Sequence, residues 1–207
     1  MSELSENLSE FNWSAYYHAV ENRPPRPTLL DALKRFELKT INRTYFAVDL
    51  GCGEGRDTVE LLRRGWRVLG IDAEAEAISR LMSREEANSD FLTTRVCQFE
   101  EIEIPPNVDL INASFSLPFC SPEAFPGLWQ KIVIALHPGG RFCGHLFGND
   151  DSWAINSSMN FHTRKQVELL LKPFDVEKLE EENKPGKTAL GEVKHWHIFH
   201  IVACKKS

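Results

Sequence analysis

The sequence predicts an α/β fold, a doubly wound, mostly parallel seven-stranded sheet with a terminal antiparallel hairpin. Three observations carry that prediction. Five strand-like apolar runs alternate with helical segments from Tyr45 onward, the pattern of a parallel sheet covered on both faces. The first run opens into a glycine-rich turn at Gly51, Gly53 and Gly55. Two late runs follow one another without a helix between them, which a hairpin explains.

The elements follow in order. Asn22–Pro27 holds three prolines and is stiff and extended, because each proline fixes its own φ and restricts the residue before it. Thr28 is placed to cap a helix over Leu29–Phe36. Phe46–Leu50 is the first strand and Glu54–Arg64 a helix. Arg67–Asp72 is the second strand and Ala75–Ala87 the next helix. Phe91–Cys97 and Val108–Ala113 are the third and fourth strands. Pro122–Leu136 reads as a helix capped by Ser121. His137-Pro138-Gly139-Gly140 reads as a sharp turn before a fifth strand, Arg141–Phe147. Thr163 and Gln166 have capping-box spacing and open a helix to about Leu171. Phe174–Glu180 and Lys194–Cys204 are the last strands. With no repeat and no low-complexity linker, residues 1–207 are expected to form one domain, with a cap or lid over 1–37 and a core over 45–204.

Composition narrows the function classes. With 24 Lys and Arg against 30 Asp and Glu, the formal net charge is −6, and no basic cluster offers a phosphate-binding face. No nucleic-acid partner is expected. No apolar stretch approaches the roughly 20 residues of a membrane span, and Met1–Asn12 lacks the apolar core of a signal peptide. A cytoplasmic protein, monomeric or homodimeric, is the expectation. The five cysteines include no C-x-x-C pair and are expected as free, mostly buried thiols. His195 and His197 share a strand face without an evident third ligand, so no metal site is expected.

The glycine turn is the most informative segment. Gly51, Gly53 and Gly55 read G-x-G-x-G, with Arg56 where a dinucleotide fingerprint has its third glycine. Asp49 lies two residues before the first glycine. Asp72 ends the second strand, 17 residues after Gly55. Asp49, Asp72, Gln98, Asn112 and the segment after Phe142 all fall at carboxyl ends of strands, where such sheets bind ligands. The D-x-G-x-G-x-G run resembles the signature of the class I S-adenosylmethionine-dependent methyltransferases, which implies a Rossmann-like fold over about residues 45–204. The ends of the chain, with Trp13-x-x-Tyr16-Tyr17, the proline-rich segment and a final Trp196-His197 strand, resemble small bacterial methyltransferases related to the tellurite-resistance type.

That resemblance assigns S-adenosyl-L-methionine as cofactor, with S-adenosyl-L-homocysteine as product, and distributes roles. Asp72 would hold the ribose hydroxyls, its alternative being a helix cap before Ala73-Glu74-Ala75. Leu50 and Ala73 would line an adenine slot, and Gln98, Phe99 or Glu100 would meet the adenine edge. Asp49, the backbone near Gly51 and Cys52, and Glu54 suit the methionine ammonium, with Gly53 and Gly55 shaping the turn. Arg26 or Arg56 suits the carboxylate. Tyr17 belongs to an aromatic lid. Asn112 and Ser114 would shape the pocket near the transferable methyl. Nucleic-acid amino-methyltransferases carry a polar-Pro-Pro-aromatic motif there, and this chain has Asn112-Ala113-Ser114-Phe115 instead. A small-molecule methyl acceptor is therefore expected, with a tellurite- or thiol-type detoxifying enzyme and a non-catalytic cofactor-binding protein as the other readings. His145, late in the fifth strand, is the candidate base.

Overall fold

A computed structural model describes residues 11–37, 43–87 and 90–207. The part of the expected lid before Phe11 lies outside the described residues. Two helices, α1 (Trp13–Val20) and α2 (Pro27–Glu37), precede the sheet. The core then runs β1 (Phe46–Leu50), α3 (Arg56–Arg63), β2 (Arg67–Asp72), α4 (Ala75–Met82), β3 (Leu92–Val96), β4 (Val108–Ala113), α5 (Phe125–Ala135), β5 (Leu136–Phe147), α6 (Arg164–Leu170), β6 (Phe174–Lys187) and β7 (Val193–Lys205). The seven strands order as β3-β2-β1-β4-β5-β7-β6. The first five are parallel, and β7 runs antiparallel to both β5 and β6. This is the expected Rossmann-like sheet, and its switch point lies between β1 and β4.

Side-chain alternation explains why helices cover both faces. Ala47, Val68, Leu110 and Cys143 pack against Leu29, Leu33 and Phe36 of α2 and Leu61 of α3. Their strand neighbours Val48, Leu69, Ile111 and Phe142 turn to the other face, against Leu128, Trp129 and Ile132 of α5. A strand buried on both sides must be apolar at nearly every position, and β4 is buried along its whole length.

Several boundaries differ from the sequence expectation. Thr28 is buried inside the first turn of α2, and Pro27 starts the helix, as proline does well at a position whose N–H has no partner. The Glu54–Arg64 helix begins only at Arg56, after a left-handed Gly55. The Ala75–Ala87 helix stops at Met82 and continues as a 3₁₀ turn over Glu85–Ala87. Ser121 caps nothing with its side chain, which donates instead to Glu100, and α5 starts at Phe125. The expected turn at His137–Gly140 is a bulge within β5. Val108 pairs with Leu136, Leu110 pairs with Arg141, and Gly139 at φ +85° absorbs the extra chain. The C-terminal hairpin extends beyond both expected strands, to Lys187 and back from Val193. The hydrophobic runs end earlier, but strand pairing continues through polar residues.

The cross-sheet tie at Gly51 yields a prediction. Its φ is +68°, and an added Cβ would lie 2.3 Å from Cβ of Ser116. Backbone strain and overlap both oppose a side chain there. Gly51→Ala is expected to destabilise by about 2–5 kcal/mol in urea denaturation, whereas Gly65→Ala, with open space around it, should lose only the cost of its positive φ, about 1–2 kcal/mol.

Candidate active site

The glycine turn is held between two strand ends. The N–H groups of Gly51 and Cys52 both donate to the Ile71 carbonyl, at 2.8 and 3.0 Å. Oγ of Ser116, just past β4, donates to the Leu50 carbonyl at 2.5 Å. Gly55, at φ +89°, then turns the chain into α3, and an added Cβ would meet Leu81 Cδ1 at 2.3 Å. Asp72 accepts the N–H of Gly53 at 2.8 Å and of Glu74 at 2.9 Å. Its carboxylate is thus fixed by backbone on either side, with lone pairs left over.

Beneath the turn lies a buried polar network. Asp49 accepts from Thr58 Oγ1 at 2.6 Å and from Asn112 Nδ2 at 2.8 Å. The same Asn112 amide donates to Asp57 at 3.1 Å, and Asp57 also accepts the Arg26 N–H at 2.9 Å. Arg56 Nε donates to the Pro24 carbonyl at 2.6 Å. The proline-rich segment is therefore docked on the first turn of α3. Helix α1 is tied to α4 by Ser14 Oγ donating to Glu76 at 3.0 Å and by Arg80 meeting the His18 ring at 3.1 Å.

These elements enclose a trough of about 640 Å³ at the carboxyl ends of the strands. Of the residues expected at the site, Tyr17, Arg26, Asp49, Gly51, Cys52, Gly53, Asp72, Ala73, Gln98, Phe99, Glu100 and Ser114 line it. Leu50, Gly55 and Asn112 do not. Leu50 and Asn112 are fully buried, and Gly55 is a buried hinge. Asn112 acts through Asp49 and Asp57 rather than by contact. A second chamber of about 260 Å³ with aromatic walls adjoins the trough. Phe11, Trp13, Tyr16, Phe115, Phe119 and Trp153 belong to both cavities.

His145 is the clearest correction to the expected layout. It reaches neither cavity, is 1% exposed, and stacks behind the Phe115 ring at 3.9 Å. Burial, reinforced by His200 and Arg26, holds its pKa well below the usual histidine value. The histidine on the chamber wall is His200, whose Nε2 lies 3.5 Å from Glu182. The other strand histidines are engaged, His197 Nε2 with Glu181 at 2.9 Å and His195 Nε2 with Asn183 at 2.5 Å. Burial raises the Cys52 thiol well above its ordinary pKa, which leaves it a packing residue of the turn.

Asp57, Thr58, Phe115 and Ser116 were missed in the sequence. An acid in a first helical turn reads as a dipole partner, and nothing local to Asp57 shows that Asn112 and Arg26 converge on it. Phe115 carries no local sequence signal, and its constraint shows only in the structure. The residue follows a fully buried strand, and its φ is +58°, a conformation that bulky residues adopt under constraint.

Burial, and next the Asp57 charge, push the Asp49 pKa up to about 7, against the pull of its Thr58 and Asn112 hydrogen bonds. An acid raised in the folded state binds its proton more tightly there than in the unfolded chain. Its burial therefore costs nothing below about pH 3.8, a growing amount between 3.8 and 7, and the full amount above. Asp49→Asn keeps an acceptor for Asn112 and removes the charge. It is expected to raise the melting temperature, with a larger gain at pH 8 than at pH 5, in thermal scans of both proteins.

With this geometry in hand, comparison with known proteins is informative. A family model described as a methyltransferase domain matches residues 47–140. An uncharacterised methyltransferase of Schizosaccharomyces pombe is 31% identical over 149 residues, covering 69% of this chain and 55% of its own. The fold is similar to the crystal structure of TehB from Haemophilus influenzae, with TM-score 0.71, 19% identity, and coverage of 85% of this chain and 62% of that one. It is also similar to a Burkholderia thailandensis 1,6-didemethyltoxoflavin N1-methyltransferase crystallised with S-adenosylhomocysteine, with TM-score 0.67, 20% identity, and coverage of 94% and 85%. The chain spans about half the length or less of the curated relatives it matches. The matched region runs from inside β1 into β5, so it takes in Asp49, the whole glycine turn and Asp72, the segments that carry the chain's resemblance to the class I S-adenosylmethionine-dependent methyltransferases.

Proposed function

We propose that this protein transfers the methyl group of S-adenosylmethionine to a small-molecule acceptor. The observation that carries the reading is that two cavities share a wall. A trough built on the glycine turn, with polar groups along it, adjoins an open aromatic-walled chamber. One compartment suits a nucleoside with a charged amino-acid tail, and the other an acceptor of limited size.

The residues of the trough suit the separate parts of the cofactor. Asp72 offers carboxylate lone pairs to vicinal hydroxyls. Two polar side-chain atoms on the trough wall, Glu54 Oε1 and Arg56 Nη1, are buried without a partner among the described residues. An ammonium would satisfy the first and a carboxylate the second. Arg26 stands beside them, its guanidinium 4.3 Å over the Phe115 ring. Gln98, Phe99 and Glu100 line the same trough with Ala73 and supply the slot and edge for a base.

When bound, S-adenosylmethionine supplies a methyl group on a sulfonium that is already a good leaving group. The chain's own task is then orientation and exclusion of water. Tyr17 closes the trough from α1, near enough to Gly53 that a Cβ there would lie 3.7 Å from the tyrosine ring. Phe115 stands where the two cavities meet. His200, with Glu182 behind it, is the group on the chamber wall suited to accept an acceptor's proton. A soft nucleophile of the tellurite or thiol kind would need no such base, and the resemblance of the chain's ends to methyltransferases of the tellurite-resistance type favours that reading.

The test is calorimetric titration with S-adenosylhomocysteine, followed by transfer of labelled methyl to an acceptor panel. Binding is expected, and Asp72→Ala should weaken it by about 10–100-fold through the loss of two charge-assisted hydrogen bonds. Absence of binding, or an unchanged Asp72→Ala variant, would contradict the proposal. Binding without any labelled product would leave a cofactor-binding protein in its place.

A further inference from the structure

We infer that the acceptor is a planar aromatic molecule of one or two rings carrying an anionic group. This rests on the methyltransferase reading above and specifies the chemistry of the second chamber. The first argument is the wall. Phe119 and Trp13 stand 4.9 Å apart in edge-to-face geometry, Phe11 lies 5.6 Å from Phe119, and Trp153 lies 5.6 Å from Trp196. Rings supplied by α1, the loop after β4, the segment after β5, and β7 thus converge on about 260 Å³. Flat ligands gain both burial and offset or edge contacts from such walls.

Aromatic walls also suit organic cations, so charge must decide between the two. Lys194, which does not line the chamber, already stacks on two of its rings. Nζ of the buried Lys194 lies 3.5 Å from the Trp153 ring centroid and 3.8 Å from that of Trp196, and it is paired with Asp151 at 2.5 Å. Those ring faces are thus taken by an internal ion pair, and the side chains that line the chamber decide the charge it accepts. Their charge is mainly positive. Arg23 and Lys187 line this chamber and not the cofactor trough, and among the described residues neither is ion-paired. Of the two carboxylates present, Glu182 is shared with Lys184 and His200, each at 3.5 Å. Among the described residues that leaves Glu192 opposite Arg23 and Lys187, with Arg26 a further cation shared with the trough. An anionic substituent at Arg23 and Lys187, with its ring between the aromatic walls, satisfies both features at once.

The transfer balances without a further reactant. The acceptor's nucleophilic atom forms a bond to the methyl carbon as the carbon–sulfur bond breaks, and that electron pair stays on sulfur as a thioether. Any proton on the acceptor atom passes to His200.

The test uses the intact protein and calorimetry in three titrations. S-adenosylhomocysteine comes first, and its failure to bind would remove the methyltransferase reading itself. The saturated protein is then titrated with 2-naphthoate, its neutral counterpart 2-naphthamide, and choline. The inference predicts saturable binding of 2-naphthoate, about three- to tenfold weaker binding of 2-naphthamide, and weaker binding still of choline. Arg23→Gln with Lys187→Gln, both exposed, should bring 2-naphthoate to the level of 2-naphthamide. Phe119→Leu should weaken both naphthyl probes together. Bound S-adenosylhomocysteine with no 2-naphthoate binding, choline binding as tightly as 2-naphthoate, or an unchanged double variant would overturn the inference and leave the reading of the cofactor trough intact.

Discussion

Everything at the site depends on two carboxylates, Asp49 and Asp57, held together in the interior by one amide. Asn112 donates to both, Thr58 donates to Asp49, and the Arg26 N–H donates to Asp57. Two like charges this close cannot both be held cheaply away from water. Burial and the Asp57 charge accordingly push the Asp49 carboxyl up to about 7, so that a shared proton relieves the repulsion near neutral pH. A cation arriving in the trough would provide the alternative. The network also joins β1, β4, α3 and the proline-rich segment at one point, so the electrostatics of the site and its shape are one construction.

The division of the cleft follows from the topology. Strand ends β1, β2 and β4 and the first turn of α3 furnish the polar half, because parallel strands end together at the switch point. The aromatic half comes from parts outside those strand ends, namely α1, the loops after β4 and β5, and the long hairpin of β6 and β7. Phe115 belongs to both halves. Its strained backbone places one ring between Arg26 and His145, at 4.3 and 3.9 Å.

Much of this was legible in the sequence, and the limits were physical. Hydrophobic runs located every strand of the sheet, and glycine spacing with Asp49 and Asp72 located the trough, because both signals are local. Where pairing overrides propensity, the reading failed. The polar outer half of the β6–β7 hairpin has no hydrophobic signature, yet Glu180–Lys187 pairs through to the tip. His145 was placed correctly on its strand, but the ring of Phe115, three-dimensionally in front of it, was invisible from the strand alone. Asp57 became a site residue only through partners 31 and 55 positions away. Distant convergence of this kind leaves no mark in a window of sequence.

The account's central expectation is a charge linkage: the ammonium that S-adenosylhomocysteine retains, entering the trough above the buried Asp49–Asp57 pair, should draw the proton off Asp49. It is tested most directly by titrating S-adenosylhomocysteine into the protein at pH 7 in two buffers of different ionisation enthalpy. The account predicts net proton release on binding, and loss of that release in Asp49→Asn. Binding with no proton exchanged, or with proton uptake, would contradict it.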